Sequence, residues 1–278
     1  MGAGMAHRLL GAGFPVVVYN RSRERAEPFA KEGAQIAATP AHAAQHADVV
    51  ISMVADDRAS RAVWSGDGGA LAAVRSGALL IESSTISLPW LTELAASAKQ
   101  RGCHLLDAPV TGSKPQAESG QLLFLVGGDT EALERARPVL TPMARDVMHL
   151  GPNGSGVLMK LINNFVCGVQ TAALAEAVAL IERTPLKREQ ALDMLCNGAP
   201  GSPMVKTIGA RMQAQDYKPN FELQWMAKDL SYAIEEANRR GLQLETALAS
   251  LLRFRSAAEH GWAGADISAV VEPLRSLS

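Results

Sequence analysis

Short apolar runs alternate with helix-forming segments through the first half of the chain, and this alternation restricts the fold more than any other feature of the sequence. Asp48-Val-Val-Ile-Ser-Met-Val54, Ala78-Leu-Leu-Ile-Glu82, His104-Leu-Leu-Asp107 and Leu122-Leu-Phe-Leu-Val126 are too short for helices. They also lack the polar alternation of a half-solvated strand. Such runs suit strands buried on both faces. Pro15-Val-Val-Val-Tyr19 is a further β-branched run. Between the runs lie segments of helical composition. One covers residues 3–12 and ends at Gly11 and Gly13, another runs from Arg23 to Lys31 and stops at Gly33, and Ala-rich stretches follow. The pattern predicts an open, doubly wound α/β sheet with helices on both faces.

The second half reads differently. From Gly154 to about Glu182 the sequence is apolar, with one glycine, Gly168, in its middle. At ~1.5 Å per residue this predicts a helix of roughly 40 Å. A helix so long and apolar is expected to be buried nearly all round, in this chain or against a partner. Further helices are predicted near 187–196, 203–214, 224–240, 244–258 and 266–275. The expected organisation is a sheet domain over 1–153 followed by an all-α domain over 154–278.

Composition narrows the function. The chain has 278 residues, 47% hydrophobic content and a net charge of -1, as ordinary globular proteins do. That balance offers no field for nucleic acid or an acidic membrane surface. No charge-free run reaches the ~18 residues of a membrane span, and no signal peptide precedes the first helix, so no membrane partner is expected. The cysteines are three, Cys103, Cys167 and Cys196, without C-x-x-C spacing. This suits a reducing compartment, and a cytoplasmic location is expected. His42 and His46 stand four apart with no third ligand nearby, so no metal is expected.

In an open α/β sheet, ligands bind beyond the carboxyl ends of the strands. The residues there are Asn20-Arg21-Ser22, Val54-Ala55-Asp56 and Ser84-Thr85. Dinucleotide-binding versions of this sheet that take NAD place an acid at the end of the second strand. Here Arg21 stands in that place, with Ser22 beside it and Arg25 a turn on. A guanidinium binds phosphate bidentately, so these residues point to NADP rather than NAD. The same residues also suit a solvated turn, with Asn20 or Ser22 capping the next helix.

Lys160 and Asn164 lie four apart near the start of the long helix, hence on one face. Both the helix N-terminus and burial disfavour a charged lysine, which suits a proton donor or acceptor. The structural alternative is a lysine snorkelling from an apolar helix. Asp107-Ala-Pro-Val-Thr-Gly-Ser113 ends a strand and opens into Gly/Ser-rich backbone, where N–H groups and the Thr111 and Ser113 hydroxyls can hold a carboxylate. It also reads as a plain loop. Phe221 and the adjacent Lys228 and Asp229 begin a later helix.

Together these motifs resemble the β-hydroxyacid dehydrogenase family, with 3-hydroxyisobutyrate dehydrogenase and the glyoxylate/succinic semialdehyde reductases among its members. The resemblance spans the chain. It rests on Tyr19-Asn20-Arg21-Ser22, Ser83-Ser-Thr85, Asp107-Ala-Pro-Val-Thr-Gly112, Gly151-x-x-Gly154-x-Gly156-x-x-x-Lys160-x-x-x-Asn164 and Lys228-Asp229-Leu230. The stretch Gly112-Ser-Lys-Pro-Gln-Ala-Glu-Ser-Gly-Gln121 looks most like the glyoxylate/succinic semialdehyde reductase branch. The resemblance implies a Rossmann-type NADP-binding domain and an NADP(H)-dependent oxidoreductase acting on a short hydroxy acid or its semialdehyde or keto form. Its substrate would be a small carboxylate-bearing aldehyde or keto acid, and its assembly a homodimer or homotetramer. Lys160 would be the general acid/base, with Asn164 positioning it and the substrate. Thr111, Gly112 and Ser113 would bind the carboxylate, and Phe221 and Asp229 would close the site. Gly2, Asn20, Arg21, Ser22, Arg25, Val54, Thr85 and Lys228 would meet the cofactor. Asn163 replaces the histidine of the related 6-phosphogluconate dehydrogenases, which sets decarboxylation aside.

One departure stands out. Relatives open on a strand and Gly-x-Gly-x-Met-Gly, and Met1-Gly2 matches only the end of that motif. The expectation is a sheet lacking its first strand and first glycines, through a late start codon or a trimmed N-terminus. Unpaired backbone groups at such a gap cost ~1–3 kcal/mol each if buried dry. A non-catalytic protein of this fold, or a form impaired in cofactor binding, is therefore the alternative reading.

Overall fold

The structure is a computed structural model that describes residues 1–276. It divides into two compact units, Met1–Lys160 and the remainder from Leu161. The first unit contains, in chain order, α1 (Gly2–Gly11), β1 (Val17–Val18), β2 (Gln35–Ile36), α2 (Pro40–Ala44), β3 (Val49–Ser52), α3 (Asp57–Trp64), α4 (Ala70–Ala73), β4 (Leu79–Glu82) and α5 (Leu88–Gln100). It continues with β5 (His104–Asp107), β6 (Val110–Thr111), α6 (Lys114–Ser119), β7 (Leu122–Gly127), α7 (Thr130–Leu140) and β8 (Ala144–Gly151). The long helix α8 (Ser155–Ile181) runs from this unit into the second. There follow α9 (Arg188–Asn197), α10 (Pro203–Ala214), α11 (Leu223–Arg239), α12 (Glu245–Ala257) and the short α13 (Glu272–Arg275).

β3, β4 and β5 are parallel neighbours, in register from Val49↔Leu79 to Glu82↔Asp107. β7 then joins β5 antiparallel, β6 lies antiparallel to β7, and β8 pairs with β7 in parallel. β4 is buried throughout, as its unbroken apolar run requires. Leu79, Ile81, Leu106, Phe124 and Val126 pack with Leu133 and Leu140 of α7 and Met5 of α1 into one core. β1 and β2 form a separate parallel pair that no described strand joins to the larger sheet. The split falls where the expected gap lies. β1 bonds β2 through the carbonyls of Val16 and Val18, and β3 bonds β4 through those of Asp48 and Ser52. In parallel strands the alternate residues, Val17 and Val49 among them, turn their backbone groups the other way.

Several expectations are corrected. The helix expected over Arg23–Lys31 is instead two 3-10 segments, Arg23–Arg25 and Glu27–Glu32. Pro28 has no N–H to give an α-helical ladder. Residues 267–271 are likewise 3-10, with α-helix only from Glu272. β8 escaped prediction because it lies at the margin of the sheet, half exposed, with Arg145, Asp146 and His149 in its run. Within this chain α8 is buried on one side and exposed on another. Met159, Ile162, Val166 and Leu180 are exposed, while Val157, Leu161, Ala175 and Val178 are buried. Its length and composition suffice to cross a membrane, a test that core helices of soluble proteins also pass, and half of its most apolar window is buried in protein.

In the second unit, Leu174, Val178, Leu223, Met226, Leu230, Leu251 and Phe254 form the core of the helical bundle. Gly168 lets α11 approach closely, since a Cβ there would sit 3.0 Å from both Leu230 Cδ2 and Met226 Sδ.

Candidate active site

The start of α8 is fixed by one carboxylate. Asp107 ends β5 and is 0% exposed. Its Oδ1 accepts from the Gly154 N–H at 2.8 Å and from Asn153 Nδ2 at 3.3 Å, and its Oδ2 accepts from the Val157 N–H at 2.9 Å. A helix leaves its first N–H groups unsatisfied, and an anion there also meets the positive end of the dipole. The glycines of the Gly151–Gly156 run follow from this closeness. A Cβ on Gly156 would lie 2.2 Å from the Leu125 carbonyl and 2.7 Å from that of Asp107. Gly127, across β7, would place a Cβ 2.6 Å from Asp107 Oδ1. Gly154 has φ +99°, which favours glycine. The motif is thus a packing device that lays the helix start against the ends of β5 and β7. Lys160, partly buried, comes three residues after the anchored Val157.

Asn164, one turn further along α8, is 4% exposed. Its Nδ2 donates to Asp229 Oδ2 at 2.5 Å, and its Oδ1 accepts from Asn163 Nδ2 at 3.0 Å. Asp229 Oδ1 pairs with Lys228 Nζ at 3.1 Å, and that ammonium lies 5.3 Å from the centre of the Tyr232 ring. Asn164 and the adjacent pair Lys228 and Asp229, distant from it in sequence, are therefore joined by a hydrogen bond and an ion pair. Phe221 is not in it. Its backbone N–H donates to Asp266 at 3.3 Å, and its ring packs on the helical core.

The strand-end residues of the first unit separate into clusters. Gly2 opens α1 against Met53, 3.7 Å from the position its Cβ would take. The Val54 N–H donates to Ser84 Oγ at 2.8 Å, next to Thr85, so the turns after β3 and β4 are joined. Asp57 reinforces the join by accepting from the Ser87 N–H at 2.8 Å and the Ser87 hydroxyl at 2.5 Å. After β1, Asn20 Oδ1 accepts from the Ser22 N–H at 2.9 Å, which makes the turn that presents Arg21. Arg21 and Arg25 are exposed, while Arg23 pairs with Glu27. Thr111 is held in β6 opposite Leu123, and Gly112 follows with φ +108°. The Ser113 N–H and hydroxyl both donate to Gln116 Oε1 at 2.9 Å, a capping arrangement for α6.

Two buried acids carry more of this architecture than the sequence reading assigned them. In the sequence both Asp107 and Glu82 stand simply as the ends of strands. In each case the signal is an acid closing a short run of leucine and isoleucine. Burial pushes both carboxyls above their ordinary values, and hydrogen bonds from Ser60, Ser84 and Trp64 to Glu82, and from Gly154, Val157 and Asn153 to Asp107, offset part of that rise.

A raised folded-state value means that the native chain keeps a proton that the unfolded chain has lost. The resulting stability is complete below the unfolded value and is lost as pH rises through the folded one. Asp107→Asn should therefore melt with a shallower decline than the wild type as pH rises above the ordinary carboxylate range. Parallel melting curves for the two proteins would refute the assignment.

Comparison with known proteins places the whole chain. Residues 1–151 match the family described as the NAD binding domain of 6-phosphogluconate dehydrogenase. Residues 154–274 match that described as NAD-binding of NADP-dependent 3-hydroxyisobutyrate dehydrogenase. The chain is 34% identical to the NAD-dependent L-serine dehydrogenase of Pseudomonas aeruginosa, over 97% of this chain and 93% of the relative. It is 32% identical to the chloroplastic glyoxylate/succinic semialdehyde reductase 2 of Arabidopsis thaliana, over 99% and 77%. Among solved structures, 3-hydroxyisobutyrate dehydrogenase from Mycobacterium tuberculosis, studied with L-serine, superposes with a TM-score of 0.89 at 34% identity, covering 99% of this chain and 96% of that one. With both halves matched in order and the fold shared along its length, the chain belongs to the β-hydroxyacid dehydrogenase family of NAD(P)-dependent oxidoreductases.

Proposed function

We propose that this protein is an NADP(H)-dependent reductase of a short carboxylate-bearing aldehyde or keto acid, with Lys160 as general acid in reduction and general base in oxidation. The observation that carries this reading is the anchoring of α8: the Asp107 carboxylate fixes Gly154 and Val157, and Lys160 follows within the same turn. A group that moves a proton must be held to within a fraction of an ångström, and a helix start pinned at two N–H groups supports that.

The chain fits a dinucleotide. The Ser52 and Ser83 hydroxyls, buried at the carboxyl ends of β3 and β4, have no protein partner among the described residues. Strand ends are where such a ligand lies in an open α/β sheet. Gly2, Asn20, Ser22, Val54, Thr85 and Lys228 would hold it, and Arg21 and Arg25 would take a 2′-phosphate. When bound, it supplies the hydride that reduces the carbonyl carbon. Lys160 Nζ gives the carbonyl oxygen its proton, and in the reverse direction removes it. Asn164, held between Asp229 and Asn163, keeps that face of α8 in one arrangement. The Thr111 hydroxyl and the Gly112 N–H would bind the substrate carboxylate. Ser113 would join them on release from Gln116, which now takes both its donors. Phe221 and Asp229 would shield the reacting groups from water. On this reading the chain divides at residue 153, with 1–153 supplying most of the cofactor contacts and the carboxylate loop, and 154–278 supplying Lys160, Asn164 and the assembly surfaces.

A homodimer or homotetramer in the cytoplasm completes the reading. Leu180, Leu248 and Leu252 expose 66%, 50% and 58% of their surface, more than a helical core residue usually leaves in water.

Lys160→Ala should lower turnover about 10²- to 10⁴-fold while NADPH binding, read by fluorescence titration, is retained. Near-normal rates in that variant would exclude the role. Arg21→Glu should weaken NADPH about tenfold or more and leave NADH nearly unaffected. Equal losses for the two cofactors would remove Arg21 from the 2′-phosphate. Light scattering should return a multiple of the chain mass, and a monomer would contradict the assembly.

A further inference from the structure

Glu82 has no part in the chemistry above, yet it is 0% exposed at the end of β4. Its Oε2 accepts from the Ser60 hydroxyl at 2.5 Å and from Trp64 Nε1 at 2.7 Å. Its Oε1 accepts from the Ser84 N–H at 2.8 Å. Ser60 in turn accepts from Trp90 Nε1 at 2.8 Å, which orients its own proton toward Glu82. One carboxylate thus ties two residues of α3 to the turn after β4, and through Ser60 it reaches α5. The turn after β3 is joined to the same assembly, because the Val54 N–H donates to Ser84 Oγ at 2.8 Å.

An apolar side chain of similar size would fill this position without taking a carboxylate out of water. Burying an acid is costly unless every oxygen is matched, and a matched buried acid adds little net stability. What it adds is direction. A leucine cannot hold the Ser84 N–H, nor orient the Ser60 hydroxyl and the Trp64 indole at once. The turns that receive this direction, Val54–Asp57 and Ser84–Ser87, are the ones read above as meeting the cofactor.

We infer that Glu82 is a positioning residue for cofactor binding, acting through Ser84 to hold the turns after β3 and β4 in a single arrangement. The inference rests on the proposed function for its cofactor, but the clamp is testable without it. In Glu82→Gln the amide nitrogen cannot accept, so the donors on one oxygen lose their partner. Ser84→Ala keeps the Ser84 N–H and removes only the acceptor of Val54, and it serves as the second variant should Glu82→Gln fold poorly.

Hydrogen exchange in the absence of cofactor reads the clamp alone. The Ser84 and Val54 amides should exchange about tenfold faster or more in Glu82→Gln, and the Val54 amide alone in Ser84→Ala. Unchanged exchange in both variants overturns the inference whether or not the enzyme binds a dinucleotide. Steady-state kinetics then read the consequence. The KM for NADPH should rise about tenfold in both variants, while kcat at saturating cofactor changes less than about threefold. A lowered kcat with unchanged KM is what a mere loss of folded enzyme produces, and it also overturns the inference. A Glu82→Leu variant with a wild-type KM would do the same. Failure of the wild-type protein itself to bind NADPH would instead refute the proposed function, with the exchange result still deciding the clamp.

Discussion

The meeting of the Asp107 carboxylate with the first N–H groups of α8 is the contact on which the rest of the arrangement depends. A helix that starts against the ends of two strands exposes unsatisfied donors to a water-poor interior, and a fixed anion is the economical way to satisfy them. The anion brings consequences. Gly127 and Gly156 must lack side chains, because a Cβ on either would strike Asp107 or the strand backbone. Gly154 must turn through positive φ to present its N–H. The spacing from Gly151 to Lys160 is thus set by packing before any chemistry is considered.

Acids, two of them fully buried, recur as fasteners in this unit. Glu82 joins α3 to the turn after β4, Asp57 joins α3 to the start of α5, and Asp107 joins β5 to α8. Each stands at the end of an element, Asp57 at the start of α3 and the other two at the close of strands, and accepts from backbone N–H groups as well as side chains. Such groups contribute direction more than stability, since their desolvation offsets much of what the hydrogen bonds return. In the helical unit, Asp229 does comparable work between Asn164 and Lys228. Membership of the β-hydroxyacid dehydrogenase family gives these fasteners a purpose, because hydride and proton transfer both depend on tightly held geometry.

Much of this is legible in the sequence. The apolar runs at 79–82, 104–107 and 122–126 are strands, as strands buried on both faces must be. Pro203–Ala214 begins at a Ser202 cap followed by proline, and the helix follows the sequence signals to the residue. Lys160 and Asn164 were singled out because a lysine in an apolar helix is conspicuous. β8 was not legible, because a half-exposed strand with charges in its run has no distinctive period. The 3-10 character of 23–32 was hidden because composition reports helix tendency but not which hydrogen bonds proline removes.

The sequence by itself determined the fold class, most of the buried strands and long helices, and the family, since periodicity, turn residues and motif spacing are local properties. It could not determine which strands pair, nor that β1 and β2 stand as a separate sheet. Nor could it reveal that Glu82 and Asp107 are fasteners rather than strand ends. Those facts rest largely on residues from 18 to 50 positions apart, such as Trp64 with Glu82 or Val157 with Asp107. The cost of burying a carboxylate is met only by donors that folding brings in from elsewhere in the chain, so its role is decided in three dimensions.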